Sequence, residues 1–565
     1  MTMMDKKRGV KYFVVDAFTD SAFKGNPAAV CFLNDNEERD DAWLQSIATE
    51  FNISQTSFLS PITGFEARFN LRWFTPVAEV VLCGHATLAS AHCLFSNGLV
   101  GSDTVEFVTK SGVLTAKRVP ELNDDDGEVK GGSFLIQLNF PVVPTFDINL
   151  TDASSSMITT ALNGATILDI KATASNNILV VLPSLESVAE LQPIMDDILK
   201  CPFDGIIVTA AGSAYDFHSR YFAPKFGVDE DPVCGSAHCA LAHYWSLKMN
   251  KCDFLAYQAS RRSGTLEIHL DKEKQRVLLR GKAVTSCVFA EYKSKSRDAD
   301  FRQKKKRRAC IVMIMKKPLN FYMVDAFTDS AFKGNPAVVC ILDGKKDRDE
   351  SWLQSLAAEF NIPLTCFVIP ITGSHSPHDF LLRWFTPTTE VDLCAHATLA
   401  SAHTLFSNSL VGSDTVEFLT RSGTLTAKKV SGNFKFYGYE EKGPFLIELD
   451  FPVIPTCDYN SNDKLMFSKA FNGATVVDIR GTTADKIISK SFNGASKASS
   501  TDKIIVVLPT WESVTELQPR MDDILKCPGN IIIVTAAAPP QGSVYDFCSR
   551  IFAPKLGVDE VVLTI

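Results

Sequence analysis

No apolar run in the 565-residue sequence approaches the ~18 residues that cross a bilayer, so no membrane-spanning helix is expected. The 15 cysteines include no Cys-x-x-Cys pair, and Met1–Lys11 is polar, without the apolar core of a secretory signal. Reduced thiols are therefore expected, not a disulfide scaffold. No His/Cys/Asp cluster has metal-ligand spacing. No Gly-x-Gly-x-x-Gly or Walker pattern follows a strand-like run, which argues against a nucleotide-binding fold. Neither metal nor cofactor is expected. Basic charge is not in excess: Lys plus Arg is 57 against 65 for Asp plus Glu, so a nucleic-acid partner is not indicated. What remains is a soluble, cytoplasmic globular chain, 45% hydrophobic and 22% charged. Its length predicts about four folding units.

A tandem repeat sets the architecture. Val15–Asp35 reads VDAFTDSAFKGNPAAVCFLND and Val324–Gly344 reads VDAFTDSAFKGNPAVVCILDG, identical at 17 of 21 positions. Later strings repeat in the same order, among them LRWFTP, MDDILKCP and GVDE. Copy 1 is expected over 11–292, with lobes near 11–120 and 133–292, and copy 2 over 319–565. Copy 2 lacks a counterpart of Asp231–Tyr292 and is expected to hold an incomplete site. Between them, 293–318 reads as a solvated linker with the basic run Lys304–Arg308. Met315-Lys-Lys-Pro within it looks like an ordinary chain start.

Within copy 1, strand-like and helix-like runs alternate irregularly, which predicts an α+β fold. Strands are expected over Lys11–Phe18, Ala28–Leu33 and Ala67–Phe74, with two more flanking Ser111-Gly112. Helices are expected over Asp40–Phe51, Thr87–Phe95 and Ser187–Leu199. Thr265–Val284 reads as a hairpin over Asp271 to Lys274.

A weaker internal symmetry carries the chemistry. Arg72-Trp-Phe-Thr-Pro precedes Cys83-Gly-His-Ala-Thr-Leu-Ala-Ser-Ala-His92, and Arg220-Tyr-Phe-Ala-Pro precedes Cys234-Gly-Ser-Ala-His-Cys-Ala-Leu-Ala-His243. Each half thus offers Cys-Gly at the start of an Ala-rich helix. Such a start presents unpaired N–H groups and a positive dipole end. Gly84 and Gly235 let a carboxylate approach that backbone. Thiols at Cys83 and Cys234 are expected to have lowered pKa values and to act as bases or nucleophiles. One proton carrier on each face of a carbon is what a cofactor-free isomerase or epimerase needs. Asn26, in Lys24-Gly-Asn-Pro27, reads either as a turn former or as a polar contact. His92 and His243 read as packing residues.

GNPAAV, FNIS, FTP with CGHATLA, DPVCGSA and VLLRGKAV, in that order, resemble the PhzF-like phenazine-biosynthesis proteins. The resemblance implies the diaminopimelate epimerase-like fold, in which each copy has two similar lobes of strands around a central helix. It implies acid/base and binding roles for His85, Asp231, Gly235 and Ser236, and it implies homodimers, or here pairing of the two copies in one chain. The family usually has a proton-shuttling Glu where this chain has Gln55, and copy 2 has Leu364 there. An amide cannot titrate at neutral pH. Cys83 and Cys234 stand where diaminopimelate epimerase carries its paired thiols. The expected function is cofactor-independent isomerisation or epimerisation of a small carboxylate-bearing metabolite, with copy 1 holding the complete site. The alternative is a weak or inactive relative kept as a binding or scaffold protein.

Overall fold

The computed structural model describes residues 11–33, 39–122, 129–149, 151–288, 320–328, 334–343, 349–371, 379–430, 434–436, 439–441, 445–459, 463–482, 503–538 and 546–561. The linker 293–318, with its basic run and Met315, lies outside the described residues. The chain forms two compact units, Met1–Pro318 and Leu319–Ile565. Among the described residues, no helix is long and apolar enough to cross a membrane.

The first half of copy 1 contains β1 (Lys11–Ala17), β2 (Asn26–Phe32), α1 (Asp41–Phe51), β3 (Gln55–Pro61), β4 (Arg68–Phe74), β5 (Glu79–Val80), α2 (Gly84–Ser96), β6 (Thr104–Thr109), β7 (Gly112–Leu122) and β8 (Val129–Pro141). The second half contains β9 (Thr145–Asp147), α3 (Asp152–Ala161), β10 (Asp169–Thr173), β11 (Ile178–Val181), α4 (Leu185–Ala189), α5 (Met195–Lys200), β12 (Ile206–Ala211), β13 (Phe217–Ala223), β14 (Val228–Asp231), α6 (Gly235–Met249), β15 (Asp253–Gln258), β16 (Gly264–Asp271) and β17 (Arg276–Gly281). A last strand, β18 (Ala283–Val288), returns to the first half and pairs antiparallel with β1.

The two halves repeat one ladder. β1–β2 is antiparallel, β2–β3 parallel, β3–β4 antiparallel, β4–β6 parallel, and β6–β7 and β7–β8 antiparallel. In the second half, β10, β11, β12, β13, β15, β16 and β17 follow the same sequence of pairings. Pairing of β8 with β17 joins the halves. This is an α+β arrangement of two similar halves, as the resemblance implies.

Local chemistry explains the elements. Asp40 caps α1 by accepting the Trp43 N–H at 2.8 Å, and Asn52 ends it in the left-handed region. α2 is buried along nearly its whole length, Gly84 to Phe95, as a helix enclosed by strands must be. Its small residues leave room for β1, β2, β3, β7, β8 and β18 around it. The shared terminal histidine does the same job in both halves. His92 Nε2 lies 3.1 Å from Thr285 Oγ1 on β18, and His243 Nδ1 accepts the Thr145 N–H of β9 at 3.1 Å. One expected helix is divided. Ser187–Leu199 becomes α4 and α5, because Pro193 removes a backbone donor and turns the residue before it out of helical geometry.

Copy 2 repeats the first-half ladder around the helix Ala395–Ser407, and a separate six-stranded sheet runs from Thr456–Asp458 to Val558–Val561. Among the described residues, copy 2 has one apolar core around that helix and one in the six-stranded sheet; copy 1 has a counterpart of each, and its larger core contains residues of both α2 and α6.

A bidentate ion pair recurs in all four halves. Arg72, Arg220, Arg383 and Arg550 each place Nε and Nη2 on the two oxygens of Glu79, Glu230, Glu390 and Glu560, at 2.6–2.9 Å. In each half the pair fastens one strand to the short strand that follows it, β4 to β5 and β13 to β14 in copy 1. Arg220 is the more enclosed of the two in copy 1, with a side chain 11% exposed against 32% for Arg72, and it also donates to Leu191 O at 2.6 Å. Arg220→Ala is therefore expected to lower the stability of copy 1 by about 3–5 kcal/mol, and Arg72→Ala by about 1 kcal/mol. Urea denaturation of the full chain measures both, and equal losses would contradict the burial argument.

Candidate active site

The N-termini of α2 and α6 meet head to head. A Cβ placed on Gly84 would lie 2.7 Å from Gly235 Cα, and one on Gly235 would lie 2.8 Å from Gly84 Cα. Only glycine allows this approach. The two Cys-Gly positions found in the sequence are thus neighbours, and Gly84, His85, Gly235 and Ser236 share one place in the fold.

A hydrogen-bonded chain crosses that junction. Cys83 Sγ lies 3.5 Å from His85 Nδ1, and His85 Nε2 lies 3.3 Å from Ser54 Oγ. Ser54 Oγ donates to Asn26 Oδ1 at 2.7 Å or to Pro27 O at 2.9 Å. Asn26 Nδ2 donates to Val233 O at 2.9 Å and to Asp231 Oδ1. Asn26 is fully buried and joins the halves, so it is more than a turn former. With the Ser54 proton on Asn26 or Pro27, the network assigns neutral His85 its proton at Nε2, leaving Nδ1 to accept from the Cys83 thiol.

Burial sets the protonation states. The His85 imidazole is pushed down to about 4 by burial, against the opposing pull of the Asp231 charge. It is a neutral base at pH 7. Both thiols differ from the sequence expectation. Burial pushes Cys83 and Cys234 up, and the nearby Asp231 charge acts in the same direction. The helix-start N–H contacts lower them by less, so both are protonated thiols and not thiolates at neutral pH. Cys234 Sγ caps α6 weakly, accepting the Ala237 N–H at 3.5 Å, and lies 3.3 Å from Ser236 Oγ.

Gln55 opens β3 beside Ser54. It is 8% exposed, and its Oε1 is buried without a hydrogen-bond partner. Such an acceptor is costly to leave unmatched and is open to a donor on a ligand.

Sequence motifs did not reveal Ser54 as a link, nor Gln258 and Ser260. Gln258 Oε1 accepts the Cys234 N–H at 2.8 Å and its Nε2 donates to Asp231 O at 2.5 Å. Ser260 Oγ donates to Pro232 O at 2.7 Å. Ser54 stands inside the quoted FNIS string and was the one such residue within reach of motif reading. Among the described residues, no group of three or more His, Cys, Asp or Glu is placed to hold a metal ion. A surface hollow of about 270 Å³ on β15–β17 has walls that include the paired His269 and Asp253. No residue of the hydrogen-bonded chain lines it.

Copy 2 keeps the first link of this chain and loses the others. Cys394 Sγ lies 3.2 Å from His396 Nδ1. Pro363 stands for Ser54, Leu364 for Gln55, Ala395 for Gly84, and Val561 pairs with Ile551 as Asp231 pairs with Tyr221. As a result His396 Nε2 and both amide atoms of Asn335, the counterpart of Asn26, are buried without partners.

Two outcomes follow. Gly84→Ala forces α2 and α6 apart and is expected to destabilise copy 1 by about 1–3 kcal/mol in urea denaturation. An unchanged midpoint would show that the contact is slack. Separately, His85, His92 and His238 are all held near 4 by burial, below the ~6.5 of an unfolded histidine. Between those values the unfolded chain binds more protons, so stability is complete above about pH 6.5 and falls as pH drops toward 4. Thermal melts across that window measure it, and a flat profile would contradict it.

The family model PhzC-PhzF, phenazine biosynthesis-like protein, matches residues 15–288 and again 324–564. An uncharacterized isomerase of Halalkalibacterium halodurans is 43% identical over 277 residues, 48% of this chain and 95% of that protein. Phenazine biosynthesis-like domain-containing protein 1 of Mus musculus is 42% identical over 293 residues, again 48% and 95%. The crystal structure of a PhzF-family protein of Enterococcus faecalis is 35% identical, covers 50% of this chain and 99% of its own, and has a TM-score of 0.43. The matched regions contain both Cys-Gly-type helix starts of copy 1 and the degraded one of copy 2. The chain belongs to the phenazine biosynthesis-like family, whose domain it matches twice.

Proposed function

We propose that copy 1 is a cofactor-independent isomerase or epimerase that moves a proton on a small carboxylate-bearing metabolite. The observation that carries this is the head-to-head meeting of α2 and α6 beside Asp231. Two positive helix ends in contact create a local demand for negative charge. A substrate carboxylate on the N–H groups around Gly84-His85 or Gly235-Ser236 meets that demand. Neutral His85, with its ring nitrogens toward Cys83 and Ser54, orders one side of the site, and Asp231, oriented by Asn26, gives or takes the proton on the other. Gln55 Oε1 takes a hydrogen bond from a donor on the substrate. The name isomerase on the Halalkalibacterium halodurans relative supports the reaction class.

Copy 1 alone carries this chemistry in the proposal. Pro363, Leu364, Ala395 and Val561 remove four of the positions it uses. A second reading rests on Gln55: without a titrating group there, copy 1 binds an acid and turns it over slowly. The raised thiols do not replace the carboxylate, because a protonated, buried thiol is a poor base.

The test is deuterium uptake from heavy water into a panel of small amino and cyclic carboxylic acids. Label in the product is expected from the full chain. Asp231→Asn should lower the rate about 10²–10⁴-fold, Gln55→Glu should raise it, and Cys83→Ser should change it little. Binding without label would favour the second reading. Abolition by Cys83→Ser, with no gain from Gln55→Glu, would transfer the proton chemistry to the thiols.

A further inference from the structure

We infer that the turn Gln258–Ser263 is a bracket that fixes Asn26 against Asp231, with Arg262 as its positioning residue. The inference rests on the proton-transfer reading above and concerns residues outside the family motifs. At one end, Gln258 and Ser260 hold the backbone of Asp231, Pro232 and Cys234, as described. At the other end, Arg262 reaches across to the opposite half. Its Nε donates to Gly25 O at 2.9 Å, and its Nη2 to Lys24 O at 3.0 Å and to Asp16 Oδ1 at 2.7 Å. Asp16 is fully buried, and its second oxygen accepts the Phe23 N–H at 2.7 Å. Ser263 O accepts the Gly25 N–H at 2.9 Å. Gly25 has φ +62°, and a Cβ there would lie 2.2 Å from Ala17 O. A side chain at that position is excluded, and the next residue is Asn26.

One short turn therefore grips both loops whose side chains meet in the Asn26–Asp231 hydrogen bond. The symmetry-related turn shows that this is not a general need of the fold. Between β6 and β7 the turn is only Lys110-Ser111, and Ser111 Oγ bonds Val81 O of its own half. The longer stretch Ala259–Ser263 between β15 and β16 is what crosses to the other half. A planar guanidinium suits the task, since it serves a carboxylate and two carbonyls at fixed angles, which an ammonium does not. Small displacements of catalytic groups are costly in rate, so the bracket acts on turnover without touching the substrate.

The test uses the full chain with Arg262→Lys, which keeps a positive charge beside Asp16, and Ser260→Ala, which leaves that ion pair intact. Amide hydrogen exchange, read by mass spectrometry without substrate, should quicken in 18–26 and 231–234 together in each folded variant. With the acid that wild-type protein labels fastest in heavy water, kcat should fall about 10- to 100-fold with little change in KM. Quickening confined to the altered side of the turn, or kcat within twofold of wild type in both variants, would overturn the bracket. Should wild-type protein label no acid, the activity assignment fails, and amide exchange alone decides the bracket. If Arg262→Lys does not fold, Ser260→Ala decides it by the same readings.

Discussion

The contact between Gly84 and Gly235 is the constraint on which the rest of copy 1 depends. Two helix N-termini are pressed together where each carries partial positive charge and unpaired N–H groups. Left alone, that arrangement is unfavourable. The protein offsets it with Asp231 nearby, a chain of hydrogen bonds from Cys83 to Asp231, and a single apolar core that contains both central helices. The same approach that strains the backbone electrostatics brings His85 and Asp231, from different halves, to one place.

Copy 2 shows what happens when the constraint is lifted. Ala395 stands where Gly84 permits the contact, and a methyl group there is incompatible with the copy 1 spacing. Pro363 has no side-chain donor for Asn335, and Val561 has no acceptor. These are changes of the very residues that join the halves. The Arg383–Glu390 and Arg550–Glu560 pairs, which fasten strands within each half, are intact. Among the described residues, the ion pairs within each half of copy 2 match those of copy 1, while the counterparts of Ser54, Gly84 and Asp231 differ.

Much of this was legible in the sequence because it is written twice or four times. The repeats gave the two copies, and the Cys-Gly helix starts gave the pseudo-symmetric halves and the residues that meet between them. Asn26 and Asp231 were both identifiable, yet their contact spans 205 residues and no local pattern encodes it. The thiols illustrate a competition that sequence cannot resolve: the helix start lowers their pKa, burial raises it, and burial wins. Gln258, Ser260 and Arg262 lie in a turn without any motif, and their importance comes only from what the fold sets beside them. Pro193 was visible, but its division of α4 from α5 was masked by good amphipathic spacing on either side.

The central claim is that copy 1 receives an acid at the paired helix starts and that copy 2 does not. A crystal structure of the full chain soaked with a small carboxylic acid tests it most directly. The carboxylate should lie on the backbone N–H groups of Gly84-His85 or Gly235-Ser236, next to Asp231, with nothing at Ala395-His396. Equal occupancy at both copies, or an acid bound only away from the junction of α2 and α6, would contradict it.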